Sequence, residues 1–126
     1  MGFSFLSCST TKETTTITYL DLDYSDFEGQ FITDVSDQIN MPDDDYYVYY
    51  YGIYCHACNL IKAQVLDTFY RANNDTIYFV EVNSFYDIAY ESGVNGTPTI
   101  IHVVDNEIVG FYEGRTSILA MIDEIN

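Results

Sequence analysis

Basic residues are scarce in this chain of 126 residues: four Lys and Arg stand against 20 Asp and Glu, a formal net charge of −16. Binding a phosphate backbone needs clustered cations, so nucleic acid is excluded as an expected partner. The acidity keeps a tyrosine-rich surface soluble and favours cationic partners. Cysteine is also scarce. Three are too few for a disulfide-stapled scaffold, and an adjacent pair with one distant thiol suits catalysis or metal binding better. Long apolar runs are missing too. Residues 1–7 are apolar but have no Lys or Arg before them, and they are too short for a signal core or a membrane span. A serine elbow, a phosphate loop and a helical His-Glu-x-x-His are all absent, which leaves hydrolase chemistry with little support. Tryptophan is absent, yet 13 Tyr and 8 Phe bring the aromatic share to 17%.

With 48% hydrophobic residues the chain is not disordered in spite of its charge, and its length suits one domain around one sheet. The organising stretch is Tyr54-Cys55-His56-Ala57-Cys58. The aromatic run 46–51 leads into it as a central strand covered on both faces. A helix over 59–73 leaves it, with Ile61, Val65 and Phe69 forming one apolar stripe.

Upstream, 16–22 alternates as a strand should, and Ser25 with Glu28 reads as a capping box opening a helix through Phe27, Phe31, Val35 and Ile39. Pro42 and the following Asp run form a turn. Downstream, the pattern predicts a strand over 76–82, a short helix over 85–92 and a hairpin. The hairpin joins 99–104 to 107–112 through Asp105-Asn106. Gly114 breaks the last strand, and Thr116 or Ser117 caps a final helix in which Ile118, Leu119, Ile122 and Ile125 face inward. Alternation first and a hairpin last imply an α/β fold, a mixed sheet with helices on both faces.

The N-terminal segment has its own pattern. Phe5-Leu6-Ser7-Cys8 followed by a Ser/Thr-rich stretch resembles the end of a bacterial lipoprotein signal, in which the cysteine is lipidated. Residues 1–14 therefore read as a flexible tether and 15–126 as the folded domain.

A CxxC opening the helix after a central strand, Val94-Asn95-Gly96-Thr97-Pro98-Thr99 some forty residues on, and Gly114 after the last strand together resemble the thioredoxin-like family. Within it, the chain is most similar to the small thioredoxin-like proteins of Gram-positive bacteria described as bacteriocin-transport accessory proteins. The resemblance implies a three-layer α/β fold with a central mixed sheet flanked by helices, and a thiol-disulfide oxidoreductase exchanging disulfides with protein substrates. Cys55 would be the nucleophile, its thiolate favoured at a helix N-terminus, and Cys58 would resolve the mixed disulfide. His56, when protonated, would lower the Cys55 pKa further and favour the reduced form. The resemblance makes Pro98 cis; Thr97 then offers backbone groups to an extended substrate, Gly96 supplies backbone freedom, and Tyr54 with Tyr51 frames the thiols.

The chain also departs from the family. The central pair is His56-Ala57, and the family's buried acid, six residues before the first cysteine, falls on Tyr49. Glu81 is the sole ionisable acid of the next strand. These departures lean toward a more oxidising or dedicated catalyst. The partners implied are protein or peptide disulfides and thiols and a redox partner protein, with a monomer expected and membrane contact only through Cys8. No cofactor and no resident metal are expected. An extracytoplasmic site, membrane-anchored or secreted, is favoured over the cytoplasm. Two other readings stand beside this one. In the first, an accessory module of an export or bacteriocin-handling system docks with little turnover. In the second, zinc or copper is held by Cys55, Cys58 and His56 with a distant donor such as His102 or Cys8.

Overall fold

The computed structural model of the protein describes residues 18–72, 74–82 and 92–126. Four strands, β1 (Asp45–Tyr51), β2 (Ile77–Glu81), β3 (Thr99–Val104) and β4 (Glu107–Glu113), form one sheet in the order β2-β1-β3-β4. β1 runs parallel to β2, with Tyr51 opposite Glu81, and antiparallel to β3, with Tyr50 opposite Thr99. β3 and β4 are antiparallel, joined by a turn in which Asp105 and Asn106 have φ of 51° and 66°. Asp and Asn tolerate that left-handed backbone, which matches the twist of a two-residue hairpin.

Every residue of β1 after Asp45 is buried, so its tyrosines alternate between two cores. Tyr47, Tyr49 and Tyr51 face α1 (His56–Arg71) and α2 (Gly114–Ile125), packing with Ile61, Val65, Phe79, Ile118 and Ile122. Tyr46, Val48 and Tyr50 face the other way, against Ile32, Val80, Val94 and Ile101. A continuous aromatic run is what a strand with two buried sides needs, because either parity must be apolar. The expected α/β fold, a mixed sheet flanked by helices, is present, and α1 and the hairpin lie close to their expected positions. The helix expected over 85–92 falls almost wholly on 83–91 and the tether expected over 1–14 wholly on 1–17, both outside the described residues.

The expectation fails in three places. No strand forms over 18–22; this segment crosses α1 instead, with the Leu20 amide donating to Asp67 Oδ1 at 3.1 Å and Gln64 Nε2 to Tyr19 Oη at 3.1 Å. The outer edge of β2, where another strand would pair, is taken. Ile32 donates to the Phe79 carbonyl at 2.8 Å and Phe79 to the Gln30 carbonyl at 2.9 Å. The single helix expected through residue 39 is two short 3-10 turns, Tyr24–Phe27 and Val35–Ile39. Gly29, at φ of 90°, ends the first, and Asp34 caps the second. The capping box is Asp23 with Asp26, not Ser25 with Glu28. The apolar stripe is thereby split, Phe27 and Phe31 joining the helix-side core and Ile32 and Ile39 the other. Finally, α2 starts at Gly114 from Glu113, without a side-chain cap at Thr116 or Ser117. Gly114 has φ of 86°, so it makes the reversal that lets the helix follow β4 directly.

Candidate active site

β1 ends at Tyr51, and Gly52 to Tyr54 turn the chain into α1, so Cys55 is the N-cap of that helix. The Cys58 amide donates to Cys55 Sγ at 3.1 Å, satisfying one of the donors that a helix start leaves unpaired. Cys55 and Cys58 are joined as a disulfide, with Cα atoms 5.2 Å apart. Helical spacing explains the pairing, since residues three apart lie one above the other on the same face. Cys58 is fully buried among the helix-side core residues, and Cys55 is only half buried. A partner approaching from solvent therefore meets Cys55 first.

Tyr54, next to Cys55 in the chain, is 93% exposed, and Ile53 and Leu60 are about half exposed. Tyr51 does not share that rim, being 1% exposed. His56 opens α1 on the exposed side. From the β3 side, Thr97 brings its carbonyl oxygen to 3.6 Å from Cys55 Sγ, and the Thr97–Pro98 peptide bond is cis. Around it, Thr99 Oγ1 donates to the Gly96 carbonyl at 2.7 Å, and the Gly114 amide donates to the Pro98 carbonyl at 2.9 Å. Cys55, Cys58, Thr97, Pro98, Gly96, Tyr54 and His56 thus occupy one end of the sheet. His102 does not. It stacks on Tyr47 at 4.3 Å and contacts Asp45 Oδ1 at 2.6 Å, and Asp45 begins β1 while Cys55 follows its end. It cannot join Cys55 and Cys58 around one ion, and Cys8 lies outside the described residues.

Beneath the turn, Tyr49 is wholly buried, and its hydroxyl and that of Tyr24 are shut off from solvent, paired only loosely with each other and without a well-formed hydrogen bond. Burial pushes the pKa of both phenols up, so neither ionises near neutral pH. Tyr24 stacks on Tyr51 with centroids 3.9 Å apart, and Tyr51 donates weakly to Glu81 Oε1 at 3.4 Å. Sequence reasoning noted Tyr49 and Glu81 but missed Tyr24 and Asp23. No local signal marks them, because they reach the site only when the N-terminal segment folds over α1.

An α/β sheet with a CxxC disulfide capping the helix after its central strand defines a thioredoxin-like protein. The thioredoxin family pattern matches residues 28–126, and the chain belongs to that family. No curated protein sequence matches it. Among solved structures, it is similar to mitochondrial thioredoxin 3 of Saccharomyces cerevisiae in its oxidised form, at 19% identity, with a TM-score of 0.62 over 75% of this chain and 93% of that one. It is similar to a thioredoxin of Trypanosoma brucei brucei at 18% identity and a TM-score of 0.62, over 75% and 86% of the two chains. Thioredoxin f2 of Chlamydomonas reinhardtii matches at 16% identity and a TM-score of 0.59, over 75% and 93%. These likenesses share the fold. The fold and the Cys55–Cys58 pair together support thiol-disulfide chemistry.

Proposed function

We propose that the protein is a thiol-disulfide oxidoreductase acting on protein or peptide partners, with Cys55 the attacking sulfur and Cys58 the resolving one. The observation that carries this is the unequal burial of the two cysteines at a helix N-terminus. Backbone amides and the helix dipole favour a thiolate at Cys55, while Cys58 is reachable only from within. In the reducing direction, Cys55 thiolate attacks one sulfur of a partner disulfide. A Cys55–partner bond forms, and the other partner sulfur leaves as a thiolate that takes up a proton. Cys58, deprotonated, then attacks Cys55 Sγ; the internal disulfide closes, the second partner thiol is released, and two electrons have passed to the partner. From the oxidised state the same steps run backwards, starting with a partner thiolate attacking Cys55. Thr97 offers its carbonyl beside Cys55 to an extended partner backbone, Gly96 and Pro98 position it, Tyr54 supplies apolar contact, and exposed His56 adds positive charge near the thiolate when protonated. The bacteriocin-transport accessory likeness, an extracytoplasmic location, lipidation at Cys8 and action as a monomer belong to the same proposal.

One observation favours the docking-module reading instead. Where the family has a buried acid to move the resolving proton, Tyr49 is a phenol held neutral by its surroundings. The two readings separate in an insulin-reduction or disulfide-exchange assay. Cys55→Ser is expected to abolish turnover and Cys58→Ser to accumulate mixed disulfides visible on non-reducing gels. Full exchange activity in both variants would remove the site assignment, and an inert disulfide in the wild-type chain would favour docking.

A further inference from the structure

We infer that the cleft on the β2 side of the Cys55–Cys58 turn receives a basic side chain, lysine or arginine, of the disulfide-bearing partner; this rests on the redox reading above. The cleft encloses about 480 Å³. Its apolar walls include Tyr24, Tyr51 and Ile53, and Asp23, Glu28 and Glu81 bring carboxylates to it. Aromatic faces with carboxylates at their edges suit a long aliphatic stem ending in a cation, and suit neither an anion nor a purely apolar chain.

Placement ties the cleft to the redox turn. Tyr51 and Glu81 are register partners at the ends of β1 and β2, and Ile53 lies two residues before Cys55. Thr97 approaches Cys55 from β3, which flanks β1 on its opposite side. A partner chain crossing Cys55 therefore has Thr97 on one side and the cleft on the other.

The cleft wall already holds one ammonium. Lys62 Nζ lies 2.7 Å from Asp23 Oδ1 and 4.8 Å from the centroid of the Tyr24 ring. Since Tyr51 covers one face of that ring at 3.9 Å, the lysine takes the other. Asp23 is thereby neutralised, and its carboxyl is held below the usual range by the Lys62 bond. Glu28 and Glu81 have no ion-pair partner among the described residues, where Lys62 and Arg71 are both committed, to Asp23 and Asp67. Arg115 opens α2 from the end of β4, at the opposite edge of the sheet from β2, so no described residue supplies the missing cation and the partner's side chain does.

The test uses the full-length reduced protein and three peptides with one internal disulfide. They differ only in carrying lysine, norleucine or glutamate two residues from the attacked cysteine. The lysine peptide should be reduced with a kcat/KM about tenfold above norleucine, with glutamate slowest, and the preference should shrink as salt rises. Glu81→Gln and Glu28→Gln should each lower the lysine-to-norleucine ratio, the pair together bringing it near one, and Glu81→Lys should turn the preference toward glutamate. Equal rates for the three peptides, or a ratio unmoved by the double variant, would overturn the inference and leave the redox reading intact. If no peptide reacts, the redox reading fails. The affinities of the oxidised protein for the same three peptides then decide the cleft: a lysine preference lost in the double variant supports it, and equal affinities overturn it.

Discussion

The two faces of β1 carry the same residue type to different ends. On the face away from the helices, the tyrosine hydroxyls are used up. Tyr46 donates to the Gln38 carbonyl at 2.6 Å and accepts from the Met41 amide at 3.3 Å, and Tyr50 bonds Gln38 Oε1. Gln38 in turn donates to the Ser92 carbonyl at 3.2 Å. On the helix face, directly under the disulfide-bearing helix, Tyr49 and Tyr24 keep buried hydroxyls that pair only loosely with each other. One face is a closed polar network that ties the second 3-10 turn to the sheet. The other leaves two buried hydroxyls poorly satisfied beneath the reactive turn.

That contrast can be broken experimentally, and the largest effect should come from the helix face itself. Phe79 is fully buried there and touches the rings of Tyr24, Phe27, Phe31, Tyr49 and Tyr51. Phe79→Ala should cost about 3–5 kcal/mol in urea unfolding, since a cavity opens where five rings meet. Smaller, but more discriminating, is a matched pair of hydroxyl deletions. Tyr50→Phe should cost about 1 kcal/mol, because the half-buried Gln38 Oε1 loses its partner. Tyr49→Phe should cost clearly less than Tyr50→Phe, because the hydroxyl it removes makes no well-formed bond. Equal losses in the two variants would erase the distinction between the faces.

Alkali should reveal a shared trait of both faces, with the smallest effect near neutrality. Burial raises Tyr47 on the helix face and Tyr78 on the other to about 12. A raised folded pKa means that the neutral phenol is favoured by folding. Its contribution is complete below the unfolded value near pH 10 and is lost as pH rises toward 12. Urea midpoints should therefore hold steady to about pH 9 and fall above 10, with phenolate absorbance of the buried tyrosines appearing only as the chain unfolds.

The segments differ in how far they could be read before folding. β1, α1 and the hairpin were legible because each carries its own instruction: an aromatic run bounded by turns, a 3.6-residue stripe, and Asp105-Asn106 where left-handed backbone is required. Residues 24–39 were misread for a physical reason. Phe27, Phe31, Val35 and Ile39 at four-residue spacing satisfy a helix, but they equally satisfy a chain that wraps a sheet edge and feeds two cores. Gly29 and the pairing of residues 30–32 with Phe79 decided for the second. The cysteines and the Gly96-to-Thr99 segment were legible as parts. Their approach to 3.6 Å joins residues 42 positions apart, and it follows from β1 and β3 being neighbours.

Local chemistry alone determined that Cys55 and Cys58 face one way from a helix start, that β1 is buried on both sides, and that the surface is anionic. These follow from spacing, hydrophobicity and charge, which act within a few residues. The tertiary structure decided which sulfur is reachable, which tyrosines find partners, and that Asp23, Glu28 and Glu81 gather beside the turn. Those outcomes depend on what the N-terminal segment packs against once the edge of β2 is occupied, and no short-range pattern encodes that choice.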